Sequence, residues 1–221
     1  MFKPSVMNRV EHGIYLRTKS VLAPMRRRKL NNTDFTIISN NCWGGICYEH
    51  FGLRKNSPTV GTFFFADDYI RFVSNLRYYL NLDLRIITSD ESKHNCWLRN
   101  NSSADAPIGL LEDVEICFLH YKDPDIARDK WNKRIQRINY NNLIFKFSYM
   151  NECTIEHLKQ FDSLDLPGKK IMFIKDNNKD YECGVYYPGF EQEAQITNDT
   201  YFWNKYFDVI SFINRGIIRP C

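Results

Sequence analysis

The stretch Phe35–Gly45, FTIISNNCWGG, decides how the chain is read. Phe35, Ile37 and Ile38 form a short apolar run that predicts a buried strand. Ser39, Asn40, Asn41 and Cys42 follow as a polar turn, and a helix is expected from residue 43. Gly44 and Gly45 let a backbone or ligand approach closely, because neither carries a Cβ. In open α/β sheets, ligands gather at the carboxyl ends of strands, where such a turn lies. A helix start also offers unpaired N–H groups and the positive end of a dipole. A thiol there is expected to have a lowered pKa, making Cys42 a candidate nucleophile. The Asn41 side chain and nearby amides become candidates to hold an oxyanion. The pattern is not GxGxxG, GxxxxGK[ST] or GxSxG.

Outward from this stretch, strand-like and helix-like segments alternate. Strands are expected at 35–39, 59–65, 84–88, 114–121, 143–147, 170–174 and 184–187. Helices are expected at 43–52, from Asp67 through Leu80, 125–139, from a Thr154 cap through Phe161, and over 199–213. Residues 89–109 are polar and rich in turn formers, and predict a long surface loop. The alternation predicts an α/β domain: a three-layer sandwich around a largely parallel central sheet. One such domain over 34–221 suits the chain length.

Residues 1–33 read as a basic helical arm. Val6, Val10 and Ile14 recur every four residues, until Pro24 breaks the pattern ahead of Met25–Lys29, MRRRK. The arm carries +7 and the remainder −3. A basic amphipathic segment suits the surface of an anionic membrane. The acidic balance of the body argues against nucleic acid as a partner. No run of 18 apolar residues and no apolar leader segment is read, so a cytoplasmic protein is expected, peripheral to the inner face of the membrane at most. Seven scattered cysteines without a CxxC pair read as reduced thiols. The five histidines show no metal-ligand spacing, so no metal site is expected.

Three further stretches are candidates to join the Asn41–Cys42 turn. Ser57-Pro58-Thr59 brings two hydroxyls. His120-Tyr121-Lys122 ends a strand on the side where the first strand ends, if the two run parallel; His120 is then a general base for Cys42. Lys130, Lys133, Arg134 and Arg137 cluster on one helix and suit phosphate groups. Ser39, Asn40, Gly44, Ser57, Thr59, Lys122, Lys130, Arg134 and Arg137 make up the expected substrate- and cofactor-binding set.

The segments SNNCWGG, SPTVGTFFF-ADDYIRF, FLHYK, KWNKRIQRIN and FDSL, in this order, resemble a bacterial domain family of unknown function. Its members are often labelled exopolysaccharide or capsule biosynthesis proteins. The resemblance covers about residues 34–215 and implies work near cell-surface glycan synthesis. The turn after the first strand is also similar, more distantly, to that of capsule-biosynthesis acyltransferases that bind coenzyme A. The family resemblance implies no particular reaction; the candidate residues and this more distant similarity lead to the expectation of an acyltransferase, O-acetyl by preference, that uses acetyl-CoA or another acyl-CoA. Its acceptor is expected to be a sugar or lipid-linked sugar intermediate of surface polysaccharide. Cys42, His120 and Asn41 are the expected catalytic residues. The alternatives are a glycosyl- or phosphosugar transferase relying on Asp67-Asp68, and a non-enzymatic adaptor of a polysaccharide assembly complex.

Overall fold

The computed structural model describes residues 6–101, 105–177 and 181–219. Among them the chain runs α1 (Val6–Arg27), β1 (Thr36–Ser39), α2 (Trp43–Phe51), α3 (Ala66–Ser74), α4 (Leu76–Leu80) and β2 (Arg85–Ile87). It continues with α5 (Asn95–Asn100), β3 (Ile108–Leu111), β4 (Val114–Cys117), α6 (Pro124–Ile135), β5 (Leu143–Ser148), α7 (Ile155–Ser163), β6 (Gly168–Ile174), β7 (Gly184–Tyr186) and α8 (Val209–Arg215).

Every residue of β1 is buried, because the strand is covered on both faces. It heads a parallel sheet of order β1-β5-β6-β7. Ile38, Phe145, Phe147, Met172 and Ile174 point to one side, where Tyr69, Phe72, Trp131, Leu158 and Phe161 of α3, α6 and α7 meet them. Ile37, Ile144, Ile171, Phe173 and Val185 point to the other, against Trp43, Tyr48 and Phe51 of α2 and Phe212 and Ile213 of α8. Alternating inward residues on buried strands thus fill two apolar layers, and the expected three-layer α/β arrangement is present.

Beside it lies a second sheet, antiparallel and of order β2-β3-β4, which the sequence reading did not foresee. Leu84, Leu111, Val114 and Ile116 pack it into the α3 side of the core. The expected strand 114–121 therefore ends at Cys117 and pairs with β3, not in parallel with β1. The residues after it turn back, with the Tyr121 N–H donating to Phe118 O. The expected loop 89–109 holds α5 and the start of β3.

Residues 59–65 do not form a strand. Gly61 takes a left-handed φ of 81° and interrupts the extended run, leaving one bridge, Phe63 to Cys117. The segment instead lies along the outer edge of β1. There the Thr59 hydroxyl accepts from the Ser39 N–H (3.1 Å) and donates to Ile37 O (3.4 Å), and the Phe64 N–H donates to Asn40 O (3.0 Å). The Tyr48 hydroxyl accepts from the Ile37 N–H (2.9 Å) and donates to Phe35 O (3.1 Å). Side-chain hydroxyls thus satisfy an edge that a further strand would otherwise occupy.

Other boundaries shift for local reasons. The cap of α3 is Phe65; Asp67 sits inside the first turn, paired with Arg71 (3.0 Å). Only Val209–Arg215 of the expected helix 199–213 is helical, because the Asp208 carboxylate accepts from the N–H groups of Ile210 and Ser211 and starts the helix there. Thr154 caps α7 as expected, in a box closed by His157, although Ile155 faces solvent. Helix α1 passes through Pro24 to Arg27 instead of breaking there. No described helix is long and apolar enough to cross a membrane.

Gly168 starts β6 opposite Leu143 of β5, and a Cβ there would sit 2.4 Å from Leu143 O. Gly168→Ala is expected to destabilise the fold by about 1–3 kcal/mol, since backbone must move to relieve the clash. Urea denaturation followed by circular dichroism checks this, with an unchanged midpoint as the contrary result.

Candidate active site: a cysteine–histidine pair at the end of β1

Beyond Ser39 the chain leaves the sheet through Asn40 and Asn41 and starts α2 at Cys42, its N-cap. The turn is fixed from below. Lys146 of β5 is fully buried beside β1, with Ser39 as its register partner. Its ammonium donates to Asn41 Oδ1 (2.9 Å), to Ser148 Oγ (2.6 Å) and to the buried carboxylate of Asp199. Asn41 Nδ2 donates to both Asp199 oxygens (2.9 and 2.8 Å), and Asn41 Oδ1 accepts from the Trp43 N–H (3.1 Å). Burial pulls the Lys146 pKa below its ordinary value, with the Asp199 charge opposing that shift. The ion pair thus ties together β5, the turn and the loop that carries Asp199.

Above this network Cys42 Sγ lies 3.1 Å from His120 Nε2. With the thiol protonated, S–H donates to the unprotonated nitrogen. His120 reaches this place from the turn after β4, held by its own N–H on Gly61 O (3.2 Å). The expected pairing of the two side chains is therefore present by a different route, through a turn of the second sheet. The expected lowering of the Cys42 pKa is not. Burial pushes the thiol up to about 11; the Asp199 carboxylate adds to the shift, while Lys146 and Lys55 oppose it. At rest Cys42 is a neutral thiol, and its activation requires a base.

The pair opens into a cleft of about 800 Å³. Phe63 and Trp97 line one part, Lys55 and Arg134 supply positive charge, and Asn151 with the segment 195–200 forms a polar wall. Arg134 donates to Val60 O (2.7 Å) and Tyr121 Oη (2.6 Å) and has no ion-pair partner among the described residues. Lys55 pairs with Glu49 (2.8 Å). Asn151, where the chain leaves β5, takes a left-handed φ of 54°, a conformation rare outside glycine that often marks functional turns. The N–H groups of Gly44 and Gly45 fall in the first turn of α2, where no intrahelical carbonyl reaches them. Gly45 lines the cleft, so its amide is placed to meet an oxyanion near Cys42.

Of the expected site residues, Cys42, His120, Asn41 and Arg134 meet at this cleft. The Asn41 amide is committed to Asp199, Lys146 and Trp43, so it shapes the turn, and its Nδ2 does not face a substrate as an oxyanion donor. Ser39, Asn40, Ser57 and Thr59 are buried under the site; Ser39, Ser57 and Thr59 bond within the turn and the β1 edge, and Asn40 Nδ2 donates to Ser148 O of β5 (3.3 Å). Gly44 serves packing: a Cβ there would meet Ile37 Cγ2 at 3.0 Å. Lys122, Lys130 and Arg137 do not line the cleft. The acids Asp67 and Asp68 diverge, with Asp68 turned inward to His94 Nε2 (2.8 Å) and Lys93.

Lys146, Asp199, Lys55 and Trp97 are site residues outside the expected set. A lysine inside the apolar strand LIFKFS is itself a signal, because a buried charge demands a partner. Asp199 in ITNDT carries no comparable mark, and its role appears only when the chain is folded.

Fold and site together define an α/β protein with a paired cysteine and histidine at a strand-to-helix turn. The chain belongs to the family described as a domain of unknown function, DUF1919, which matches residues 15–214. It is similar to an uncharacterized protein of Haemophilus influenzae, with 26% identity over 209 residues covering 93% of this chain and 95% of that protein.

Proposed function

We propose that this chain is an acyltransferase that carries an acyl group, acetyl by preference, from an acyl-coenzyme A through Cys42 to a sugar hydroxyl in bacterial surface polysaccharide synthesis. The observation that carries the reading is the 3.1 Å approach of Cys42 Sγ and His120 Nε2 at the mouth of a large cleft. In the first half-reaction His120 takes the thiol proton and the sulfur attacks the thioester carbonyl. The N–H group of Gly45 receives the oxyanion. The coenzyme A thiolate then leaves with the proton from His120, and Cys42 holds the acyl group as a thioester. In the second, His120 takes the proton of a sugar hydroxyl, whose oxygen attacks the acyl carbon. An ester forms, and Cys42 regains its proton through His120.

The rest of the cleft suits these partners. Arg134, which has no carboxylate partner among the described residues, and Lys55 offer charge to donor phosphates. The polar wall of Asn151 and residues 195–200 offers partners to a hydroxyl-rich acceptor, and Trp97 offers an aromatic face to a sugar ring. The resemblance to proteins labelled for exopolysaccharide and capsule synthesis supports the choice of acceptor. An acyl-CoA donor and six free cysteines among the described residues fit a cytoplasmic location.

Incubation with acetyl-CoA, followed by peptide mass spectrometry, tests the reading. The expected result is one hydroxylamine-labile acetyl group on the Cys42 peptide, absent in Cys42→Ala. Absence of the adduct, together with no release of coenzyme A in the presence of sugar acceptors, would overturn it.

A further inference from the structure

Helix α1 is oriented opposite to an ordinary surface helix. Its inner face is polar and aromatic. His12 stacks on Tyr201 (4.1 Å between ring centroids), Tyr15 on His50 (5.7 Å), Lys19 pairs with Glu49 (3.0 Å), and Ala23 lies against Gly52. The spacing 12, 15, 19, 23 is one helical face. Met7, Val10, Ile14, Val21 and Met25 follow the same spacing on the far side, and they are 71%, 56%, 57%, 75% and 64% exposed. An amphipathic helix normally buries its apolar stripe; here that stripe points away from the protein along most of 22 residues.

The charges beside the stripe say what covers it. Arg9, Arg17, Arg28 and Lys29 are exposed and have no ion-pair partner among the described residues. Residues 1–33 hold eight Lys and Arg against the single acid Glu11, while the rest of the chain is net negative. A second copy of the chain would set two such arms together, like charge on like charge. An anionic bilayer instead takes the apolar stripe into its headgroup boundary and neutralises the flanking cations. We infer that α1 docks the protein flat on an anionic lipid surface through Met7, Val10, Ile14, Val21 and Met25. This rests on α1 alone and does not depend on the reaction proposed at Cys42.

Co-sedimentation of the full chain with vesicles tests it. The protein is expected to bind vesicles containing phosphatidylglycerol, to bind pure phosphatidylcholine far less, and to lose binding as salt shortens the screening length. Each flanking charge is worth roughly a fivefold change in partition, so Arg17→Gln with Arg28→Gln is expected to weaken binding about 25-fold. Val10→Asp with Val21→Asp is expected to abolish it without moving the thermal midpoint, since neither residue faces the protein. Equal binding to both vesicles, or to neither, overturns the inference. So does a dimer in sedimentation velocity that Val21→Asp dissolves, which would make a second copy the occupant. Lipid charge and salt are varied on the unaltered protein, so the test stands even if a variant fails to fold.

Discussion

Lys146→Met is expected to lower the folding free energy by about 3–5 kcal/mol, because it leaves the Asp199 carboxylate buried without its cation. Both side chains are fully enclosed, at 0% and 1% exposure. Neither can therefore turn to water when its partner is lost. For a domain of this length, each kcal/mol moves the thermal midpoint by about 2–4 °C. A drop on the order of 10 °C follows, readable by circular dichroism. Pairing Lys146→Met with Asp199→Leu is expected to recover most of the loss, because an apolar pair needs no compensation there. A drop of less than about 1 kcal/mol for the single variant would mean that water reaches the pair, as it does at surface salt bridges. The same ion pair holds Asn41 and the loop of Asp199 in place. Its loss is therefore expected to disturb Cys42 as well as the fold.

His120→Ala is expected to reduce kcat/KM for acyl transfer by about 10²–10⁴, the usual worth of a placed general base. The high thiol pKa explains why the effect is large. With Cys42 titrating at about 11, only on the order of one molecule in 10⁴ carries a thiolate at pH 7 without help. Thiolate is the form above the pKa. In His120→Ala, alkylation of Cys42 by iodoacetamide should therefore rise about tenfold per pH unit and level off near 11. Activity and alkylation unchanged by the substitution would remove His120 from the reaction.

The sheet and the turn are legible in the sequence because both are local. FTIIS and LIFKFS are largely apolar runs, with Lys146 as the one charged residue in them. The step from Ser39 to Cys42 is marked by its own polar residues. The pairing of Cys42 with His120 is legible only by a wrong path, which puts His120 on a parallel strand, whereas a turn of a separate antiparallel sheet delivers it. Strands at β2 and β4 are expected, but the four-residue β3 (Ile108–Leu111) that joins them starts inside a polar segment that reads as loop, so the sheet stays hidden. Asp199 was illegible because its meaning lies in a lysine 53 residues away. The pKa direction failed for a related reason. A helix start favours a thiolate, but the enclosure that reverses this for Cys42 is made by distant segments.

The closure of β1 by the hydroxyls of Tyr48 and Thr59 bears on how copies of this chain can associate. An open edge is a template, ready to recruit any extended segment with free amides, and it is a common seed of fibrils. On the β1 side that template is already filled by the chain's own side chains. Crowding many copies at one place therefore offers no growing end on that flank.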